Sequence, residues 1–467
     1  MEQEHINKIG QDFTLFGLLK FSFPSILNNF FSQLFKTLDD GLFVSRFVGK
    51  TALAGINILN PVHFFQFSLN NLFAVGAPNL SSRKMGEGDQ QEAKRIFTRV
   101  SISAFGLGFL FALLVNVFAG PLLQFLKADE TLTGYALISL RTVFLITPVS
   151  LLNAVFNAYF STAGKPSMGL VCSLVNGTIN ITLDVILVVV MRIGVLGACI
   201  STVAGEAVIF VIGLVFSLDK RNEIHFVAPE GKILSTTVQS WKNGLPQFIN
   251  TLSLSLSALV MNYQLLKYVG NDGIAANSIV SDLLRILTSL FFGYTLCVGP
   301  IISYNYGAHN RERLRRLLKQ NALIWAGCSV VLTTAGLLCR KPFISIFINA
   351  NDNSEVFYSL TYYGLTMQYL SLPFFSGCVL IPRMLTAVNQ IRASMTVAII
   401  RNVVLRIGCI MVVPLIFGYR GVWIAGLICE FLACCVDVFV LNRHAVSFGF
   451  DRPFGIGNLI NSRSRAA

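Results

Sequence analysis

The stretch SLVNGTINITLDVILVVVM, residues 173–191, decides the fold class. It is an apolar run about as long as a helix needs to cross a bilayer, at roughly 1.5 Å of rise per residue against about 30 Å of hydrocarbon. Inside it sits one acid, Asp184, with Asn180 one turn earlier. Four residues apart on a helix, the two side chains share a face, so an amide oxygen and a carboxylate converge on one point. A carboxylate facing lipid costs several kcal/mol, which turns Asp184 towards a bundle interior or a water-filled cavity. Two roles fit that position: a hydrogen-bonded structural aspartate, or a site for a small cation or a proton.

Outward from this stretch the pattern repeats. The 467 residues are 54% hydrophobic and only 13% charged, and apolar runs of span length recur along the chain, which excludes a soluble enzyme. The runs predict about twelve transmembrane helices, near 14–44, 52–82, 96–119, 134–163, 168–191, 195–218, 241–268, 274–305, 317–339, 355–387, 394–416 and 421–442. Those longer than a simple crossing are expected to tilt or to kink at prolines. The polar start, MEQEHINKIGQDF, lacks the apolar core and cleavage site of a signal peptide, so the first span is expected to stay. Most of the ten cysteines lie inside apolar runs and read as small buried hydrophobes rather than a disulfide framework.

The net charge of +13 is resolved by its distribution. Lys and Arg concentrate in the short connections after even-numbered spans, among them Arg83, Lys84, Lys94, Arg95, Arg99, Lys220, Arg221, Arg311, Arg313, Arg315 and Arg316. Such a bias orients a membrane protein and needs no nucleic acid; it places both termini in the cytoplasm of a multi-pass cell (inner or plasma) membrane protein. The longest polar connection lies at mid-chain. The expected organisation is therefore a first six-helix lobe over 1–218, a cytoplasmic linker over 219–240, a second six-helix lobe over 241–446 and a cytoplasmic tail over 447–467.

The two lobes share a frame, which makes the fold class an all-α polytopic membrane protein of two pseudo-symmetric six-helix lobes. Gly194, Gly197, Ile200 and Glu206 match Gly418, Gly421, Ile424 and Glu430 without a gap. Upstream, Val48, Gly49 and Ala54 match Val269, Gly270 and Ala275, and Gly86 with Lys94 and Arg95 matches Gly307 with Arg315 and Arg316. An even repeat relates the halves by an axis along the membrane normal and puts a substrate site near mid-bilayer. In the same frame Asp184 falls on Gly408 and Asn180 on Val404. Framework repeats, whereas a site need not, and the asymmetry favours a functional Asn180 and Asp184. The repeated Glu206 and Glu430 read as structural, through helix-to-helix hydrogen bonds or snorkelling near a helix end. Span one is also unusual: Asn28, Ser32, Lys36 and Asp40 recur every fourth residue, with Asn29 and Gln33 widening a polar stripe. Asp40 continues that stripe into the interior or marks the outer interface.

These residues resemble the multidrug and toxic compound extrusion (MATE) transporters over nearly the whole chain, and are nearest to the DinF-like and MepA-like branches. The resemblance is carried by Pro24, Asp40-Gly41-Leu42-Phe43-Val44, Val48-Gly49, Pro78, Gly86, Asn157, Gly164-Lys165-Pro166 and Met168. It continues through Asn180, Asp184, Gly194, Gly197-Ala198, Thr202, Gly244-Leu245-Pro246 and Tyr304-Asn305-Tyr306-Gly307-Ala308. It implies two lobes around a V-shaped cavity and export of drugs coupled to entry of protons or sodium. It carries the cation or proton site over to Asp40, Asn157, Asn180, Asp184 and Thr202, with Na+ as the metal that such oxygens would take. It implies no cofactor, a monomer, and small amphipathic or cationic organic substrates. Lys36 departs from the pattern: one turn before Asp40, it is expected to pair with that acid and modulate the site. The second lobe lacks the acids that another branch uses in spans seven and ten, so coupling is expected to rest on the first. Arg383 reads as an anchor near the cytoplasmic end or as a cavity charge.

Two other classes stay open. A flippase for a lipid-linked precursor would need a strongly cationic central cavity, for which Lys36, Arg141, Arg383, Arg401 and Arg406 are the candidates. A non-transporting receptor would need no acid inside the membrane. No hydrolytic triad or phosphate-binding glycine loop points to an enzyme or an ATP-driven pump.

Overall fold

The computed structural model describes residues 8–38, 43–44, 47–126, 128–347 and 355–450, and among them it is all-helical, with no strand. The helices are α1 Leu15–Leu38, α2 Lys50–Asn57, α3 Asn60–Gly86, α4 Gln90–Val117, α5 Ala119–Phe125, α6 Glu130–Val143, α7 Thr147–Thr162, α8 Ser167–Asp184 and α9 Val195–Leu218. After them come α10 Ile233–Tyr268, α11 Asn271–Gly307, α12 Arg311–Phe347, α13 Glu355–Ala387, α14 Ile391–Ile399 and α15 Arg406–Arg443. A π-helical turn, Val185–Val190, extends α8, and a second, Ile400–Leu405, joins α14 to α15.

Among the described residues, nine of these segments are long and apolar enough to cross a bilayer. Gly418 (φ 58°) breaks the longest of them, Ile391–Arg443, into two rods. Counting that break, these make ten rods among the described residues, and α1 and α3 stand where the first two spans are expected, their asparagines, glutamines and lysines diluting their apolar content. Large apolar side chains point outward along them, such as Phe109, Val211, Val330, Leu338, Leu415 and Ile416, as a lipid-facing surface requires.

The connections repeat as the sequence frame does. Left-handed backbone recurs at Gly49 and Gly270, at Gly88 and His309, at Gly164 and Asn389, and at Gly194 and Gly418. At the last pair the two conformations nearly coincide, φ 72°, ψ −142° and φ 58°, ψ −144°. An L side chain rarely adopts that region, so glycine stands at both. The N-caps repeat too: Asp89 accepts from the Glu92 amide and Asn310 from the Arg313 amide.

The chain forms two compact units. One holds Met1–Met85, Asp89–Ser255 and Phe292–Pro300; the other holds Gly86–Gly88, Leu256–Phe291 and Ile301–Ala467. In the first, α3 and α10 meet at bare backbone, with Gly76 against the Ser240 carbonyl and Gly244 against that of Leu72. Small residues let two membrane helices approach this closely. The connection after α9 is tied to the same unit: the Val227 amide donates to Thr98 Oγ1, Phe226 stacks on Phe97 at 4.9 Å, and Arg99 reaches the Glu230 carbonyl. In the second, Trp423 is fully buried and lies against Gly364.

Candidate cation and substrate site

Three helices of the first unit interlock through small residues. Phe35 of α1 seats its ring on Gly177 of α8, and Asn28 lies over Gly169 about two turns lower on both helices. The two helices therefore run side by side in the same direction. Between α8 and α9 the Asn176 side chain rests on Gly205 and Leu187 on Gly197, an antiparallel register. That register sets Thr202 level with Asn180, because each lies three to four residues from the Asn176 and Gly205 contact. Asp184 is fully buried and Asn180 is 8% exposed. Thr202 donates its hydroxyl to the Ala198 carbonyl, which leaves the oxygen lone pairs available.

The π-helical turn begins directly after Asp184. Single π turns in α-helices are frequent at functional sites, since they re-aim the side chains around them. Asp40 lies outside the described residues. Asn157 is placed elsewhere: its Oδ1 accepts from Asn28 Nδ2 at 2.9 Å, level with Gly169. At about 1.5 Å per residue that is roughly 16 Å along α8 from Asn180. The structure thus brings Asn180 and Thr202 to one level beside the turn that carries Asp184, and sets Asn157 with Asn28 towards the other end of the helix.

Lys36 follows Phe35, so it stands beside the middle of α8, in the last turn of α1. It is exposed there, within electrostatic reach of Glu206 on α9 and His63 on α3. Glu206 is held by Asn153 of α7, whose Nδ2 donates to its Oε2 at 2.6 Å and to its carbonyl at 2.9 Å. This is the helix-to-helix bond expected of Glu206. Its pairing with Asn153 is a tertiary result, and no spacing in the sequence announces it.

The second unit holds charge in another form. Arg401, on the π turn after α14, donates to Glu430 from Nε at 3.1 Å and from Nη2 at 3.0 Å, and Arg406 pairs with the same carboxylate. Arg401 also donates to the Cys378 carbonyl at 3.2 Å and lies over the Phe375 ring. Arg401, Glu430 and the neighbouring Asp437 are all buried. A paired buried charge is tolerable where an unpaired one is not, which explains how so polar a cluster survives inside a membrane helix bundle. Arg383 is not an exposed anchor: it is 8% exposed, one turn before the end of α13, where the terminal carbonyls favour a cation.

Comparison with known proteins agrees with this architecture. The MatE family model matches residues 24–186 and again 246–412, once in each half of the chain. The multidrug export protein MepA of Staphylococcus haemolyticus is 26% identical over 440 residues, 92% of this chain and 94% of that protein. MepA of Staphylococcus saprophyticus is 26% identical over 460 residues, covering 96% and 98%. Among solved structures, a MATE protein crystallised in complex with MaL6 superimposes with a TM-score of 0.89 at 18% identity, over 95% of this chain and 99% of that one. With the family model matched in both halves, this chain belongs to the MatE family of multi-pass membrane transporters.

Proposed function

We propose that this protein is a secondary antiporter of the cell membrane that expels amphipathic or cationic organic compounds in exchange for protons or sodium ions. The observation that carries the reading is Asp184, fully buried within a membrane helix and followed at once by a π turn. Both relatives described above are named multidrug export proteins, which supports a drug-like cargo. The ion site consists of Asp184, Asn180 and Thr202, with Asp40 assigned from its sequence pattern alone. Asn157 acts through Asn28 and not on the same ion. A carboxylate with neutral oxygens suits a hard cation, and the same carboxylate accepts a proton. Neutralising Asp184 in either way changes which packing of α8 is stable, and the cargo has to move in the opposite direction for the cycle to close. Both termini face the cytoplasm, and one copy of the chain suffices with no cofactor.

The test is dye efflux from proteoliposomes under imposed proton or sodium gradients, wild type against Asp184→Asn. Efflux that persists at the full gradient-dependent rate in the variant removes the basis of the reading. A flippase for a lipid-linked precursor is the second reading, favoured by Arg383, whose buried Nε has no partner. Against it, Arg401 and Arg406 are committed to Glu430. The same vesicles with a fluorescent phosphate-bearing lipid distinguish the two.

A further inference from the structure

Four cysteines of the second unit stand in facing pairs, and the transporter reading gives them no role. One pair bridges the two rods of α15, before and after the break at Gly418: the thiols of Cys409 and Cys429 are in hydrogen-bonding contact. The packing of the rods holds them there. A methyl at Gly421 would meet the backbone of Val413 and Pro414, Arg406 reaches Glu430, and Cys409 faces Cys429 between these two rungs. The other pair joins α13 to α15, where Gly377 meets the sulfur of Cys434 and Cys378 lies beside it; both thiols are buried.

The pairs differ in what reaches them. Cys409 is half-buried beside the outward-pointing Val404, Met411 and Val412, and the space at the neighbouring Gly408 is open. Cys429 behind it is 1% exposed, and its Sγ donates to the Arg401 carbonyl at 3.8 Å. In the repeat frame Cys409 falls on Val185 and Cys429 on Gly205, so the first half carries neither thiol. We infer that Cys409 and Cys429 form a redox modification site, oxidised to a disulfide by a quinone dissolved in the bilayer. A disulfide needs sulfurs that already face each other on closely packed backbone, as these do. Cys409 lies on the lipid-facing side of the rods, so the oxidant that reaches it is soluble in hydrocarbon and accepts two electrons, which describes a quinone. Two S–H bonds break and one S–S bond forms; both electrons and both protons pass to the quinone, which becomes a hydroquinone. The new bond clamps the two rods of α15 beside Arg406 and Glu430 and adds a covalent brace to the ionic one. Cys378 and Cys434, enclosed between α13 and α15, stay reduced.

The experiment uses the purified full chain in lipid nanodiscs, without oxygen, incubated with duroquinone, whose methylated ring has no free position for a thiol to add to. Remaining thiols are capped with iodoacetamide under denaturing conditions, and the chain is digested and weighed. Expected is a peptide pair joined through Cys409 and Cys429, about 2 Da lighter than its separate parts and split by a reductant, with duroquinol formed in equal amount. The melting temperature is expected to rise by several degrees, because the bond closes a loop through Gly418. Cys409→Ser is expected to lose the linked peptide, the duroquinol and the rise in melting, while Cys378→Ser keeps all three. No linked peptide in the folded wild type, a link through Cys378 or Cys434 in its place, or duroquinol formed at the wild-type level by Cys409→Ser overturns the inference. The linkage is read on the wild-type chain, so it decides even where a variant does not fold. Transport plays no part in the readout, and failure here leaves the coupling test on Asp184 intact.

Discussion

The two units of this transporter answer the same problem, charge inside a membrane helix bundle, in opposite ways. The first places Asp184 on a rod one turn beyond the amide of Asn180 and the hydroxyl of Thr202, just before a π turn. The second places a π turn in its own rod at Ile400–Leu405, but there the turn itself carries Arg401, locked to Glu430 with Arg406 alongside. A built-in guanidinium holds its carboxylate in one state, since neutralising the acid would strand a buried Arg401 beside a partly buried Arg406. In the proposed reading Asp184 exchanges its charge with solution, so one repeat unit, used twice, would carry a coupling acid in one half and a braced cluster in the other.

That contrast can be broken in four places. The largest effect is expected at Glu430→Gln, which leaves Arg401 and Arg406 without their carboxylate and should cost about 3–5 kcal/mol of stability. Thermal melting in detergent measures it, and a shift no larger than that of a surface substitution would mean the triad braces nothing. Asp184→Asn should do the reverse, keeping the melting temperature near wild type while removing about 1–3 kcal/mol of coupling, a roughly 5–150-fold fall in gradient-driven efflux. Should both substitutions act on stability alone, the units do not differ in the way described.

Gly177→Ala sharpens the comparison within the first unit. The added methyl meets the Phe35 ring, so α1 must shift against α8, at about 1–3 kcal/mol. Because this contact sets the register of α1 against α8, which carries Asp184, gradient-driven efflux per folded molecule should fall along with stability. The smallest effect is expected at Asn28→Ala. It removes one hydrogen bond to Asn157, worth about 0.5–1.5 kcal/mol, and efflux per folded molecule should keep its ion dependence. Loss of ion dependence there would bring Asn157 back beside Asp184.

Much of the fold was legible because its signals are local. A span announces itself by twenty apolar residues in a row, and helix ends by glycines where left-handed backbone is needed, as at Gly194 and Gly418. The repeat was legible for the same reason: both ends of each span obey the same backbone constraints. The candidate site was legible only in part. Asn180 and Asp184 share a helix, so their relation is fixed by 3.6 residues per turn. Asn157 and Asp184 lie on different helices, and nothing along the chain reports the roughly 16 Å that separates the Asn157 level from Asn180.

The sequence by itself determined the class, the number of membrane rods, the duplication and the acid that only one half carries, because each follows from composition and periodicity within single segments. Tertiary structure alone decided which polar residues of different rods meet: Asn28 with Asn157, Asn153 with Glu206, and Arg401 with Glu430. Those meetings depend on the axial register between helices. Register is set by where a ring or an amide finds a glycine to sit on, as Phe35 does on Gly177 and Asn176 on Gly205. A contact of that kind is made across space between two surfaces, and neither surface specifies it alone.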